Sequence, residues 1–137
     1  KPFGLQRLEV GNEEQNMSAT QGYPAHYALI TSQLWAQDPK LTVCASGRWG
    51  KDIEGSPCLT GQRCDLWDDH YYRSANQFAT MGGLYDSYNR SWPAVFVGEF
   101  AACSSDTQFG AGKPNLQSAL GESIFMLGFE RNADVVR

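Results

Sequence analysis

Several features that would indicate a nucleic-acid, membrane or dinucleotide partner are missing from this sequence. It has no basic run, and 11 basic against 15 acidic residues give a net charge of −4, so no nucleic-acid partner is expected. No apolar stretch reaches the ~18 residues of a membrane-spanning helix, so no membrane partner is expected either. No G-x-G-x-x-G fingerprint follows any strand-like segment, which argues against a bound dinucleotide cofactor.

The four cysteines lack the C-x2-C pairs that are common in structural zinc sites, and no metal is expected. Cys58 and Cys64 are close enough in sequence to close a short disulfide loop in a secreted protein, whereas Cys44 lies in an apolar segment that suits a buried thiol equally well. Two N-x-S sequons begin at Asn16 and Asn89. Sequons and little lysine together favour an extracellular location.

What the sequence does contain is an alternation of strand-like and helical segments. Hydrophobic residues make up 42% of the 137 residues, as in an ordinary globular protein. Strand patterns begin near residues 6, 41, 65, 94 and 134, and helical patterns cover 23–37, 75–88 and 116–132. Residues 46–63 and 101–114 are predicted to be mostly loop. The mean strand spacing is close to the ~31 residues of one (β/α)8 barrel unit.

This pattern predicts an α/β fold with parallel strands and outer helices, part of a (β/α)8 TIM barrel. A doubly wound sheet produces a similar pattern. In a barrel, catalytic groups lie at the carboxyl ends of the strands, and three polar segments are predicted to lie there. They are Asn12-Glu13, the segment from Asp69 to Tyr72, and Glu99 after a glycine.

Two carboxylates are what hydrolysis of a glycosidic bond requires, one as a proton donor and one as a nucleophile. Glu13 and Glu99 are the candidate pair, each closely preceded by a glycine at a predicted strand end. On its own, a strand-end carboxylate is equally often a solvent-facing or helix-capping acid. His70 alone is more often a hydrogen-bonded packing residue than a catalyst.

Four segments in order resemble the catalytic barrel of α-L-arabinofuranosidases of glycoside hydrolase family 51, particularly its eukaryotic, plant-like branch. These segments are KPFGLQRLEVGNEEQ, DLWDDHYYRSANQF, PAVFVGEFAA and SALGESIFMLGFERNADVV. The resemblance runs through nearly the whole chain and is weakest across residues 46–62. Phe100 is a mild departure, since Tyr is common at that position.

The resemblance implies a role for each candidate residue. Glu13 would be the acid/base and Glu99 the nucleophile. Asn12 would hydrogen-bond the sugar, Tyr72 would orient the nucleophile, and His70 would line the same wall. Residues 1–137 would form the C-terminal half of the barrel, about strands four to eight, as a fragment of a longer protein. The remainder of the barrel and a β-sandwich domain would be its partners.

The implied function is that of a retaining glycosidase without a cofactor, acting outside the cell or in the cell wall. It would release terminal α-L-arabinofuranosyl residues from arabinose-containing polysaccharides or glycoproteins. Two alternatives stay open: a related retaining hydrolase with another sugar specificity, and a non-catalytic carbohydrate-binding or structural extracellular protein on this fold. A glycan at Asn16 would crowd Glu13, so Asn89 is the preferred glycosylation site.

Overall fold

The computed structural model describes residues 4–14, 22–47, 56–59, 61–105, 108–111 and 115–137. Within these ranges, one sheet contains five strands in the order β1-β2-β3-β4-β5. The strands are β1 (Arg7–Val10), β2 (Thr42–Ala45), β3 (Leu66–Ser74), β4 (Ala94–Ser105) and β5 (Gln108–Ala111). The first four run parallel, and β5 turns back to pair antiparallel with β4.

The helices begin where the local sequence can satisfy their first backbone N–H groups or supply a suitable turn. They are α1 (Tyr23–Gln37), α2 (Ala75–Thr80) and α3 (Leu116–Arg131), with a 3-10 turn at Pro57–Leu59. Ser74 and Gln77 form a reciprocal capping box on α2. The Asn115 side chain accepts a hydrogen bond from the Ser118 N–H at the start of α3. No helix in the described ranges is long and apolar enough to span a bilayer.

The core lies between the helices and one face of the sheet. Side chains alternate between the faces of a strand, so Trp67 and Tyr71 of β3 point towards the helices. Trp67 packs with α1 through Tyr27, and Tyr71 packs with α3 through Phe125. Each large side chain buried in this way contributes about 1.5–3 kcal/mol of hydrophobic stabilisation. The opposite face of β3 is therefore left to Asp68, His70 and Tyr72.

The α/β fold with parallel strands and outer helices agrees with the sequence prediction. Three of the predicted element boundaries differ from those in the structure. Helix α2 ends at Thr80 and turns follow, because the Gly82-Gly83 pair does not sustain a helix. The predicted loop 101–114 instead contains the end of β4 and the whole of β5. The predicted last strand amounts to a single parallel bridge between Val95 and Val136.

Five apolar residues, Leu116, Leu120, Ile124, Leu127 and Phe129, indicate an amphipathic helix over residues 116–132. The first four, an apolar stripe along the helix, are 40–75% exposed, and only Phe129 packs against the core. The buried face is formed by Gly121, Phe125 and Gly128 instead, with Gly121 against the backbone of Ala75 and Gly128 against that of Gly82. Small residues prevail there because the neighbouring backbone lies close to the helix.

Cys58 and Cys64 form the disulfide that their spacing allowed. Both are partly buried and pack against the cluster beneath α1. Cys44 and Cys103 are free and buried. The loop closed by the disulfide connects β2 to β3, close to the strand that carries His70.

Candidate active site

Glu13 lies in a tight turn directly after β1. Gly11 has a φ of +96°, and a Cβ there would lie 2.5 Å from Cγ of Glu14. Glu13 itself has a φ of 52°, a left-handed conformation that costs a non-glycine residue ~1–2 kcal/mol. The turn is held by Ser46, whose Oγ accepts a hydrogen bond of 3.1 Å from the Glu14 N–H. Strained backbone of this kind persists where the surroundings impose it, often at functional sites.

His70 connects the two candidate carboxylates. Its Nδ1 lies 3.2 Å from Oε1 of Glu13 and 3.8 Å from Oε2 of Glu99. The Tyr72 hydroxyl donates a hydrogen bond of 2.6 Å to that same Oε2 of Glu99. One oxygen of Glu13 and one of Glu99 lie within 4.8 Å of each other. The structure thus brings Glu13, His70, Tyr72 and Glu99 together on one face of the sheet.

Glu99 reaches this cluster from within a strand rather than from its end. The prediction that it terminates its strand is wrong, since β4 continues to Ser105 and pairs there with β5. The register between β3 and β4 shifts between the pairs Asp68–Phe96 and His70–Glu99. This β-bulge inserts one residue into β4 and turns Glu99 towards His70.

Asp68 belongs to the same cluster, although the sequence analysis did not select it. Its Oδ2 lies 2.6 Å from Nε2 of His70, and its Oδ1 accepts a hydrogen bond of 2.9 Å from the Gly98 N–H. The side chain is 1% exposed. The available signal was spacing: Asp68, His70 and Tyr72 alternate along a strand and must share a face.

Electrostatics within the cluster favour a proton on His70. Burial opposes this charge, but the hydrogen bond to Glu13 and the negative charges of Asp68 and Glu99 outweigh it, and the pKa of His70 is raised. The hydrogen bond to Glu99, with some burial, raises the pKa of Tyr72 to about 12. Tyr72 therefore remains a donor at neutral pH.

Glu9 extends the cluster towards β1. Burial, followed by the charge of Asp68 and a hydrogen bond with it, raises the pKa of Glu9 to about 7. Glu9 pairs with Cys44 in the register of β1 and β2, on the face that also carries Asp68. No sequence signal distinguished Glu9 from an ordinary solvent-facing acid on an edge strand.

Glu13, His70 and Glu99 also have the composition of a metal ligand set, with one ligand atom each within 4.8 Å of the others. However, His70 Nδ1 and Glu13 Oε1 already face each other at hydrogen-bonding distance. Tyr72 donates to Glu99. These contacts pair Glu13 with the His70 imidazole and give Glu99 a hydrogen-bond donor in Tyr72.

The remaining predicted residues lie around this centre or apart from it. Asn12 directly precedes Glu13 and is exposed. Asn89 lies ahead of the amino end of β4, the end opposite Glu99, and its Oδ1 accepts a hydrogen bond of 2.8 Å from the Ser91 hydroxyl. Asn16 lies outside the described residues.

Known proteins show similarity across the whole chain. The sequence model of the "Alpha-L-arabinofuranosidase 1 domain" family matches residues 1–90. A relative from Streptomyces chartreusis, "Extracellular exo-alpha-L-arabinofuranosidase", is 36% identical across 100% of this chain and 16% of its own length. "Alpha-L-arabinofuranosidase 1" of Arabidopsis thaliana is 27% identical across 99% of this chain and 18% of its own.

Solved structures agree with this relationship. An arabinose-bound α-L-arabinofuranosidase of glycoside hydrolase family 51 superposes with a TM-score of 0.83 at 33% identity, over 99% of this chain and 22% of that one. A family 128 exo-β-1,3-glucanase from Cryptococcus neoformans, with a TM-score of 0.63 and 12% identity over 95% of this chain and 53% of its own, shares the fold alone. The chain thus spans about a fifth of its arabinofuranosidase relatives. It belongs to the α-L-arabinofuranosidase 1 domain family, within glycoside hydrolase family 51.

Proposed function

We propose that this chain supplies both catalytic carboxylates of a retaining α-L-arabinofuranosidase. The observation that carries the proposal is the separation of Glu13 and Glu99, whose facing oxygens lie within 4.8 Å. Retaining glycosidases hold their two carboxyl groups ~5–5.5 Å apart, whereas inverting enzymes need ~6.5–9.5 Å to admit a water molecule. The names of the relatives supply the sugar: an α-L-arabinofuranosyl unit at the end of a chain.

The proposed reaction proceeds in two displacements. A carboxylate oxygen of Glu99 forms a bond to the anomeric carbon, and the bond to the leaving oxygen breaks as Glu13 transfers a proton to it. Water then attacks the anomeric carbon, giving its proton to Glu13 while the bond to Glu99 breaks. Tyr72 orients Glu99 through its hydrogen bond, and Asn12 contacts the sugar beside the reacting carbon.

We propose that residues 1–137 are the C-terminal half of a catalytic barrel, completed by further strands and accompanied by a β-sandwich domain. Arabinose-containing polysaccharides or glycoprotein glycans are the proposed substrates. Secretion to the cell exterior or cell wall is supported by the disulfide Cys58–Cys64, because such bonds persist in oxidising compartments. Asn89, exposed at the edge opposite Glu99, is the proposed glycan attachment site.

The activity is tested on the full-length protein with 4-nitrophenyl glycosides. We expect release of 4-nitrophenol from the α-L-arabinofuranoside and much less from the β-D-xylopyranoside and β-D-glucopyranoside. Turnover of a pyranoside alone favours the alternative of a related hydrolase with another sugar specificity. Absence of turnover on all three contradicts an enzymatic role and favours a carbohydrate-binding or structural protein.

The separate roles of the two carboxylates are tested by azide rescue. In Glu13→Ala the glycosyl-enzyme still forms, and azide displaces Glu99 in the second step, so we expect the α-configured glycosyl azide. In Glu99→Ala azide performs a single displacement, so we expect the β-configured product. Proton NMR of the anomeric centre distinguishes the two products. The opposite assignment would mean that the roles are exchanged.

A further inference from the structure

Asp68 is a fully buried carboxylate that the proposed two-step reaction does not use. It lies at the centre of the polar face, 1% exposed, between Glu9 of β1 and Gly98 of β4. A buried carboxylate is costly unless it is paired and hydrogen-bonded. Both oxygens of Asp68 meet this condition, because one accepts from a backbone N–H and the other faces an imidazole nitrogen. The contacts with Gly98 and His70 therefore fix the position of this side chain.

The first contact connects Asp68 to the strand of the nucleophile. The bulge in β4 displaces the Gly98 N–H from the strand ladder, and Oδ1 of Asp68 accepts it at 2.9 Å. A Cβ on Gly98 would lie 2.5 Å from that oxygen, so a glycine is required for this approach. Asp68 thereby fixes the bulge immediately before Glu99.

The second contact determines which nitrogen of His70 faces the carboxylates. Because Nε2 lies 2.6 Å from Oδ2 of a buried carboxylate, the hydrogen is on Nε2. Nδ1 is then left facing Glu13 at 3.2 Å. A neutral His70 accepts the Glu13 proton at Nδ1, and a charged His70 donates one to the Glu13 carboxylate. In both states a single proton is shared between Glu13 and His70.

We propose that Asp68 is a positioning residue for the proposed reaction: through His70 it maintains the proton shared with Glu13, and through Gly98 it holds the backbone that presents Glu99. This inference rests on the proposed function. Among the described residues, the charged or titratable groups that interact with His70 are Glu9 and Glu13 from β1 and its turn, Asp68 and Asp69 from β3, and Glu99 from β4. Cys44 of β2 adjoins Glu9 and Asp68, and Tyr72 of β3 adjoins Glu99.

Asp68→Asn changes the contact with His70 and keeps the one with Gly98; it also changes the hydrogen bond with Glu9, for which a Glu9→Gln background controls. Its side-chain oxygen still accepts from Gly98, but its amide now donates to Nε2 and forces the hydrogen onto Nδ1. Nδ1 then donates to Glu13 and can no longer accept its proton. The same change in another aspartate–histidine pair leaves the geometry intact and lowers kcat ~10⁴-fold through the wrong tautomer. We expect at least a ~100-fold loss of kcat/KM where acid catalysis is needed.

The experiment compares two substrates of the full-length enzyme. Methyl α-L-arabinofuranoside needs a proton on its leaving oxygen, whereas the 4-nitrophenyl glycoside leaves as a stable phenolate. We expect Asp68→Asn to lower kcat/KM at least ~100-fold on the methyl glycoside and less than ~10-fold on the 4-nitrophenyl glycoside. We also expect it to shift the basic limb of the pH profile to lower pH. The shift should persist in a Glu9→Gln background, which removes the neighbouring titration. An equal loss on both substrates, or an unmoved basic limb, overturns the proposal.

Asp69→Asn is the matched control, because Asp69 is equally buried on the same strand but faces the helices. We expect Asp69→Asn to keep the wild-type ratio between the two substrates. His70→Gln should reproduce the selective loss, and Asp68→Asn should add little to it. If the losses of Asp68→Asn and His70→Gln are additive in the double variant, the proposal is overturned. If Asp68→Asn does not fold, His70→Gln alone must show the selective loss on the methyl glycoside. Wild-type enzyme without activity on either glycoside would instead contradict the proposed function itself.

Discussion

Tyr72 is the residue whose hydrogen bond is most directly tied to the state of the nucleophile. Its hydroxyl donates to Glu99 at 2.6 Å and remains protonated because its pKa is raised to about 12. A hydrogen bond donated to a carboxylate stabilises its charged form. We expect Tyr72→Phe to shift the acidic limb of kcat/KM to higher pH and to lower kcat about tenfold. Tyr71→Phe, on the opposite face of β3, is the control. An acidic limb that moves equally in both variants contradicts this role.

Asp69 is a second buried carboxyl with a testable titration. Burial outweighs the hydrogen bonds from Tyr71 and Tyr85 and raises its pKa from 3.8 to about 7. A raised carboxyl pKa stabilises the fold fully below the unfolded value, and this stability is lost as pH rises through the folded value. We therefore expect the full-length protein to lose thermal stability between about pH 4 and 7.

Asp69→Asn should flatten this dependence, because an amide does not titrate. The measurement is the melting temperature of wild type and variant across that pH range. A slope that is the same in both proteins would mean that another group is responsible. Asp134, which is fully exposed and hydrogen-bonded to Arg90, offers a control variant, Asp134→Asn, that should leave the slope unchanged over most of this range.

Some residues of the candidate site could be predicted from the sequence, and others could not. Glu13, His70, Tyr72 and Glu99 were predictable candidates, because their polar segments interrupt apolar strands and match a known family. Alternation along β3 places Asp68 on the face of His70 and Tyr72, but its contact with Gly98 was not predictable, since it depends on a one-residue bulge in β4. The left-handed conformation of Glu13 was equally unpredictable, because the turn around it is held through its neighbours: the Tyr23 hydroxyl donates to the Val10 carbonyl, and Ser46 accepts from the Glu14 N–H.

At the scale of elements, the contact between α3 and the region of α2 depends on glycine. A Cβ on Gly128 would lie 2.4 Å from the carbonyl oxygen of Gly82, a backbone atom that cannot rotate away. We expect Gly128→Ala to lower the free energy of unfolding by about 1–3 kcal/mol despite the better helix propensity of alanine. Gly4→Ala, where a Cβ meets nothing within 4 Å, should change it by less than about 0.5 kcal/mol. Chemical denaturation measures both, and equal effects would contradict close packing at Gly128.

Strand and helix positions were largely predictable because apolar segments alternate with polar and glycine-rich ones along the chain. The ends of the strands and helices were less predictable, for physical reasons that differ from one element to another. Helix α2 stops where Gly82-Gly83 lowers helix propensity, whereas β4 continues because β3 pairs with it as far as Cys103 and β5 from Cys103 to Ser105. The first effect is visible in the sequence; the second depends on a pairing that forms only in the folded sheet.

At the scale of the whole molecule, the exposed stripe on α3 is difficult to reconcile with an isolated domain. Leu116, Leu120 and Leu127 are 57–75% exposed, and Leu29 of α1 is 65% exposed. Contiguous apolar surface of this kind marks a face that another element covers. Strand β1 also lies at an edge of the described sheet, where its outer backbone groups have no strand partner. Both observations agree with the proposal that further barrel strands and helices complete this unit.

Leu127→Lys should therefore have opposite effects in two contexts. In the isolated 137-residue chain, we expect the charge to reduce self-association, measured by the concentration dependence of sedimentation. In the full-length protein, the same charge would be buried beneath a neighbouring helix and should lower the melting temperature by several degrees. Glu130→Lys, at an exposed position of the same helix, controls for the added charge. It should change neither the self-association of the isolated chain nor the melting temperature of the full-length protein. If Leu127→Lys leaves the full-length protein as stable as Glu130→Lys does, then the stripe faces solvent in both contexts and the barrel is completed elsewhere.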